Sequence, residues 1–142
     1  MGAAYFLVVE GDTTRQTMLD GKALATDFDA IERLANKHGL KTPDDYFSQS
    51  PDEAIASMAD IMGVEVEELS DEEIAAARQG AADIWFDPAE GITFAARLIE
   101  LIENDPSQVD NPEAILLDLK AMQDDLTQLQ SENKRWRFAV DF

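Results

Sequence analysis

One histidine, no cysteine and 30 acidic side chains against 11 basic ones decide which chemistries are open to this chain of 142 residues. Without cysteine there is no thiolate nucleophile, disulfide framework, redox pair or thiolate zinc site. A nucleophilic relay needs a base, and His38 is the only imidazole available. It falls in the last turn of a predicted helix, just before Gly39, where a histidine meets helix carbonyls, so it is read as structural. No catalytic residue is assigned. Carboxylates remain as hard oxygen ligands in the cluster Glu65, Glu67, Glu68, Asp71, Glu72 and Glu73 and in the loop with Asp105, Asp110 and Asn111. Neither has the spacing of a calcium-binding loop, so no metal is expected. The glycines are isolated and form no phosphate cradle, so no cofactor is expected.

Two further groups of residues have chemical potential. Trp85 and Phe86 stand directly before Asp87-Pro88-Ala89-Glu90, either seating the chain on a core or lining a pocket beside two carboxylates. Lys134, Arg135 and Arg137 flank Trp136 as cations flank aromatics in some nucleic-acid sites. The simpler reading gives Lys134 to the end of a helix and the arginines to water, with Trp136 inward.

The charge is regional. Residues 1–50 hold 8 acids and 5 bases, residues 51–118 hold 18 and 2, and residues 119–142 hold 4 of each. The −16 of the middle segment repels nucleic acid phosphates and anionic membranes and steers a basic partner inward. Part of it is also helix capping, since acids in first turns are favoured by the helix dipole.

These residues are positioned by recognisable elements. Tyr5–Val9 is β-branched and aromatic and apolar at both parities, which predicts a central strand covered on both faces. Gly11-Asp12 can turn a hairpin, with Thr13–Leu19 returning as a second strand. From Thr26 the period becomes helical, and Asp27–His38 is the first helix, capped by Thr26 or Asp27 and ended by Gly39. Four later helix starts carry caps: Ser50-Pro51-Asp52-Glu53, Ser70-Asp71-Glu72-Glu73, Asp87-Pro88-Ala89-Glu90 and the shorter Asn111-Pro112-Glu113. Pro88–Asn104 is apolar around most of its circumference and should be central, with Thr93, Arg97, Glu100 and Asn104 as its polar stripe. Pro112–Asn133 has only a thin seam of Ile115, Leu119, Met122, Leu126 and Leu129, and should lie outside the bundle or pair with a second copy. After Asn133 the period falls to two: Trp136, Phe138, Val140 and Phe142 face inward, and Arg135, Arg137, Ala139 and Asp141 face water. In Lys41–Gln49, Tyr46 and Phe47 tuck into the edge of the core.

Tyr5-Phe6, Asp20-Gly21-Lys22, the string Trp85-Phe86-Asp87-Pro88-Ala89-Glu90-Gly91 and the end from Arg135-Trp136 to Asp141-Phe142 together resemble a family of small bacterial proteins. The Trp85–Gly91 string is its distinctive part. The family has no assigned function, so the resemblance implies no activity.

The expected fold is a single α+β domain over residues 1–142, mostly helical, with four to five helices on a small sheet that pairs the N-terminal and C-terminal strands. Met1–Glu10 has no basic leader or cleavage site, and no apolar run spans a bilayer, so a soluble cytoplasmic protein is expected, with no nucleic acid or membrane as partner. The leading functional expectation is a non-enzymatic acidic binding protein, an adaptor or immunity-type inhibitor, that docks a basic protein through residues 51–118. One alternative is a small-molecule or metal-dependent enzyme using the carboxylates of the Trp85–Glu90 turn. The other is a structural homodimer joined through the Ile115–Leu129 seam.

Overall fold

A computed structural model describes residues 3–81 and 84–141. Strand β1, Ala4–Val9, runs antiparallel to β2, Trp136–Asp141, with Ala4 opposite Asp141 and Val9 opposite Trp136. The two form a two-stranded sheet, so β1 has one strand neighbour and is not central. Its inward residues Tyr5, Leu7 and Val9 are buried, Val8 is buried on the opposite face, and Phe6 is partly exposed. On its free edge the Tyr5 amide donates to Gly21 O. Gly21 has φ 76°, and a Cβ there would stand 1.6 Å from Tyr5 O, so only glycine permits this approach.

The expected second strand, Thr13–Leu19, is absent. Asp12 makes a single bridge with Val9, and the following backbone turns away. Its amides have better acceptors than a strand edge: Met18 and Leu19 donate to the carboxylate of Asp125, more than a hundred residues along the chain. A short helix α1, Lys22–Thr26, then precedes α2, Phe28–Lys37. Asp27 stands at the N-cap of α2 as expected, but its side chain makes no capping bond there and instead accepts from the Asn111 amide at 2.8 Å. Helix α2 ends at His38 and Gly39, the latter at φ 69°. The segment Lys41–Gln49 holds a 3₁₀ turn, Pro43–Tyr46, which buries Tyr46.

Two compact units divide the chain: residues up to Phe47 together with those from Trp85 onward, and Ser48–Ile84. In the smaller unit, α3, Pro51–Met62, and α4, Asp71–Gly80, enclose an apolar cluster of Ile55, Ala59, Leu69 and Ala77. Ser50 Oγ accepts from the Glu53 amide, and Ser70 and Glu73 cap each other reciprocally. Helix starts were therefore written in the local sequence.

In the larger unit, α5, Pro88–Asn104, packs most extensively on α6, Pro112–Ser131. Phe94, Ala95, Leu98 and Ile102 of α5 are buried, which makes it central as expected. Asn111, by contrast, makes no side-chain cap. The expectation for α6 itself is corrected. Ile115, Leu119, Met122, Leu126 and Leu129 are all within the core of the chain, so the seam is filled internally and does not supply a face for a second copy. Strand β2 is also more covered than its alternation suggests: Arg137 is 1% exposed and Ala139 is buried, while Arg135 stays outside, paired with Glu10. Phe142, expected to face inward, lies outside the described residues. None of the described helices is long and apolar enough to cross a membrane.

Candidate functional site

The Trp85–Gly91 string is organised around the end of β2, where Trp136 is fully buried. Phe86 and Trp136 exchange two backbone hydrogen bonds, 2.8 and 3.0 Å, forming an antiparallel bridge. The Trp136 indole N–H donates to Asp87 O at 3.1 Å. Asp87 Oδ1 accepts from the Ala89 amide and so caps α5. One turn on, Gly91 packs directly against the indole, because a Cβ there would be 2.5 Å from both Trp136 Cζ2 and Leu126 Cδ1. Trp85 lies beneath the Arg137 guanidinium, 4.8 Å from ring centroid to Cζ. This cation–π contact covers one side of an arginine that the alternation assigns to solvent. Phe86 packs on the core and Trp85 lies against Arg137, and neither lines the groove described next.

That groove is a hollow of about 550 Å³ whose wall is formed by Leu40, Tyr46, Ala89 and Phe94 and whose polar groups are Lys41, Glu90, Thr93 and Arg97. Helix α5 supplies Glu90, Thr93 and Arg97 at offsets of three and four, which places them on one face. Lys41 Nζ is 2.8 Å from Glu90 Oε1 and sits 5.5 Å from the Tyr46 ring centre and 5.9 Å from that of Phe86. The Tyr46 hydroxyl donates to Glu90 at 3.4 Å. Burial pushes the Tyr46 phenol upward, and the neighbouring Glu90 charge adds to it, so it stays protonated. Asp87 lines a different hollow, of about 320 Å³, with Gln130 and Asn133. The two carboxylates of the turn are therefore not brought into one cavity, and no acid–base pair is assembled there.

The six expected partner-binding acids lie in the smaller unit, all exposed except the half-buried Glu73. Two of them work locally: Glu68 accepts from the Glu65 amide and Glu73 from the Ser70 amide, the second contact holding Glu73 below the usual carboxylate range. Glu65, Glu67, Asp71 and Glu72 project outward. His38 is an exposed helix C-cap. Among the described residues, no group of three or more histidines or carboxylates is placed to hold a metal ion.

Three acids act in a way that sequence reasoning missed. Asp27, Asp118 and Asp125 are buried, and each accepts backbone N–H groups from distant segments. Asp118 Oδ2 takes the amides of Ala23 and Leu24, so a residue of α6 caps α1, whose own N-cap is a glycine. Desolvation pushes the Asp118 carboxyl upward, while its amide donors pull the other way. A signal was present: Asp118 and Asp125 are one heptad apart, each directly before a seam leucine, Leu119 or Leu126.

No protein-family model, curated protein or solved structure matches the chain.

Proposed function

We propose that the chain is a non-enzymatic acidic binding protein, an adaptor or inhibitor, that docks a basic protein through the Ser48–Ile84 unit, which holds the N-terminal half of the 51–118 region. The observation that carries this reading is the combination of charge and exposed apolar surface in that unit. Its 37 residues hold 10 acids and one base, whereas the other 105 hold 20 acids and 10 bases. It also exposes Ile61 by 84%, Met62 by 50% and Val66 by 41%, interleaved in sequence with Asp60, Glu65 and Glu67. A solvated face that served solubility alone would have no use for large exposed side chains among its acids. Apolar contacts of this kind give affinity, and the surrounding charge gives steering and orientation. The partner surface with matching chemistry is a basic amphipathic helix.

The test titrates the protein with a synthetic amphipathic helix bearing leucine on one face and lysine on the other, and with an acidic counterpart of the same apolar face. The basic peptide should bind at low salt, bind more weakly at high salt, and lose affinity about tenfold on Ile61→Ser/Val66→Ser. Equal binding of the acidic peptide, or no binding of the basic one at low salt, would remove the proposal.

A further inference from the structure

We propose that the groove between α5 and the Gly39–Tyr46 segment is a binding site for a small organic carboxylate with an aromatic or alkyl body, held by Lys41 and Arg97. Its lining residues all belong to the larger unit. The groove lining holds two cations, Lys41 and Arg97, and one carboxylate, Glu90, with Glu100 paired to Arg97 beside it. That carboxylate, Glu90, already accepts from Lys41 and Tyr46. Freeing Glu90 for a ligand cation would break its contacts with both Lys41 and Tyr46. A ligand anion would instead meet an ammonium, a guanidinium and the Thr93 hydroxyl.

The cations are available for exchange. Lys41–Glu90 and Arg97–Glu100 are solvent-exposed ion pairs, of the kind that contributes little and is readily rearranged. Arg97 reaches Glu100 through Nη1, and a planar carboxylate matches the guanidinium fork with two parallel bonds. The remaining wall is apolar. Tyr46 and Phe94 stand with ring centres 5.0 Å apart, tilted at 60°, and Leu40 and Ala89 complete the surface against which a ring or short alkyl chain would pack. A volume of about 550 Å³ with a few convergent polar groups on an apolar wall is the form of a small-molecule site. The wall is rigidly supported, because Tyr46 is also stacked on the buried Trp136 at 5.1 Å.

The experiment follows backbone amide shifts while the whole chain is titrated with 3-phenylpropionate and with octanoate. The isosteric amines 3-phenylpropylamine and octylamine serve as comparison. Both acids should shift the amides of Lys41, Thr93 and Arg97 with saturation in the millimolar range or below, and the amines should not. Arg97→Gln and Lys41→Gln are surface changes that leave the core intact, and each should weaken acid binding about tenfold. Equal response to acid and amine would show an unselective apolar hollow and overturn the proposal. So would saturable shifts confined to other residues, acid affinity unchanged in both variants, or no response to either acid.

Discussion

Replacing Gly91 by alanine tests the packing around Trp136 through the sign of its effect. On an exposed helix the change would stabilise, since alanine exceeds glycine in helix propensity by about 1 kcal/mol. At this position the new methyl would lie 2.5 Å from Trp136 Cζ2, 2.8 Å from Cε2 and 2.5 Å from Leu126 Cδ1. Neither neighbour can swing aside. Trp136 is fully buried, pinned by its indole bond to Asp87 O and by two backbone bonds to Phe86, and Leu126 is fully buried as well. Overpacking of this kind costs about 1–3 kcal/mol, occasionally more, and a double contact with a pinned ring belongs at the upper end of that range. Subtracting the propensity gain leaves a net loss of about 1–2 kcal/mol. For a chain of this size that corresponds to a fall in melting temperature of roughly 3–8 °C. Urea unfolding followed by tryptophan fluorescence measures it directly, because Trp136 reports on the site that is disturbed. A Gly91→Ala protein as stable as the parent, or more stable, would refute the close approach of α5 to Trp136.

Removing the carboxylate of Asp125 by alanine should cost about 2–3 kcal/mol, since it strands the amides of Met18 and Leu19, and those two amides should exchange with solvent much faster by NMR. A loss below about 0.5 kcal/mol would show that the segment is held by other means. Two carboxylates should shape the pH dependence with opposite signs. The Asp118 carboxyl is raised by desolvation, so its contribution to stability is fully present below its unfolded value and is lost as pH rises through the folded one. Glu132 is lowered to about 2, chiefly by its hydrogen bonds with Arg15, so its contribution is present above the ordinary glutamate value and is lost as pH falls toward 2. Unfolding midpoints measured across pH should accordingly show Asp118→Asn flattening the decline with rising pH and Glu132→Gln flattening the acid limb. The reverse assignment would overturn both readings.

What could be read from the sequence was whatever local chemistry decides. The caps at Ser50, Ser70 and Asp87, the burial of α5 and the pairing of Tyr5–Val9 with the Trp136 strand all follow from residues near one another or from simple periodicity. The errors share one cause, which is polar side chains satisfied across long separations. Helix α6 looked peripheral because its apolar seam is narrow. Asp118 and Asp125 widen the buried face without being apolar, and their acceptors are used by backbone near residues 18–24. The same two acids hold Thr13–Leu19 and its neighbours in a non-strand path that turn chemistry alone does not foreshadow. The alternation of β2 assigns Arg137 to water, because nothing adjacent in sequence shows that Trp85 covers it. At the groove, the stripe of Thr93 and Arg97 was legible on α5, but Lys41 and Tyr46 reach it from a segment with little pattern of its own.

The pairing of β1 with β2 has a consequence for synthesis. Val9 leaves the ribosome well over a hundred residues before Trp136, its partner in the ladder. At about 5–20 residues per second, the first strand spends roughly 6–25 s with its hydrogen-bonding edge and the side chains of Tyr5, Leu7 and Val9 uncovered. An open apolar strand is a template for pairing with other chains. The nascent protein is therefore most prone to aggregate, and most in need of a chaperone, during the time taken to make the helices that separate its two strands.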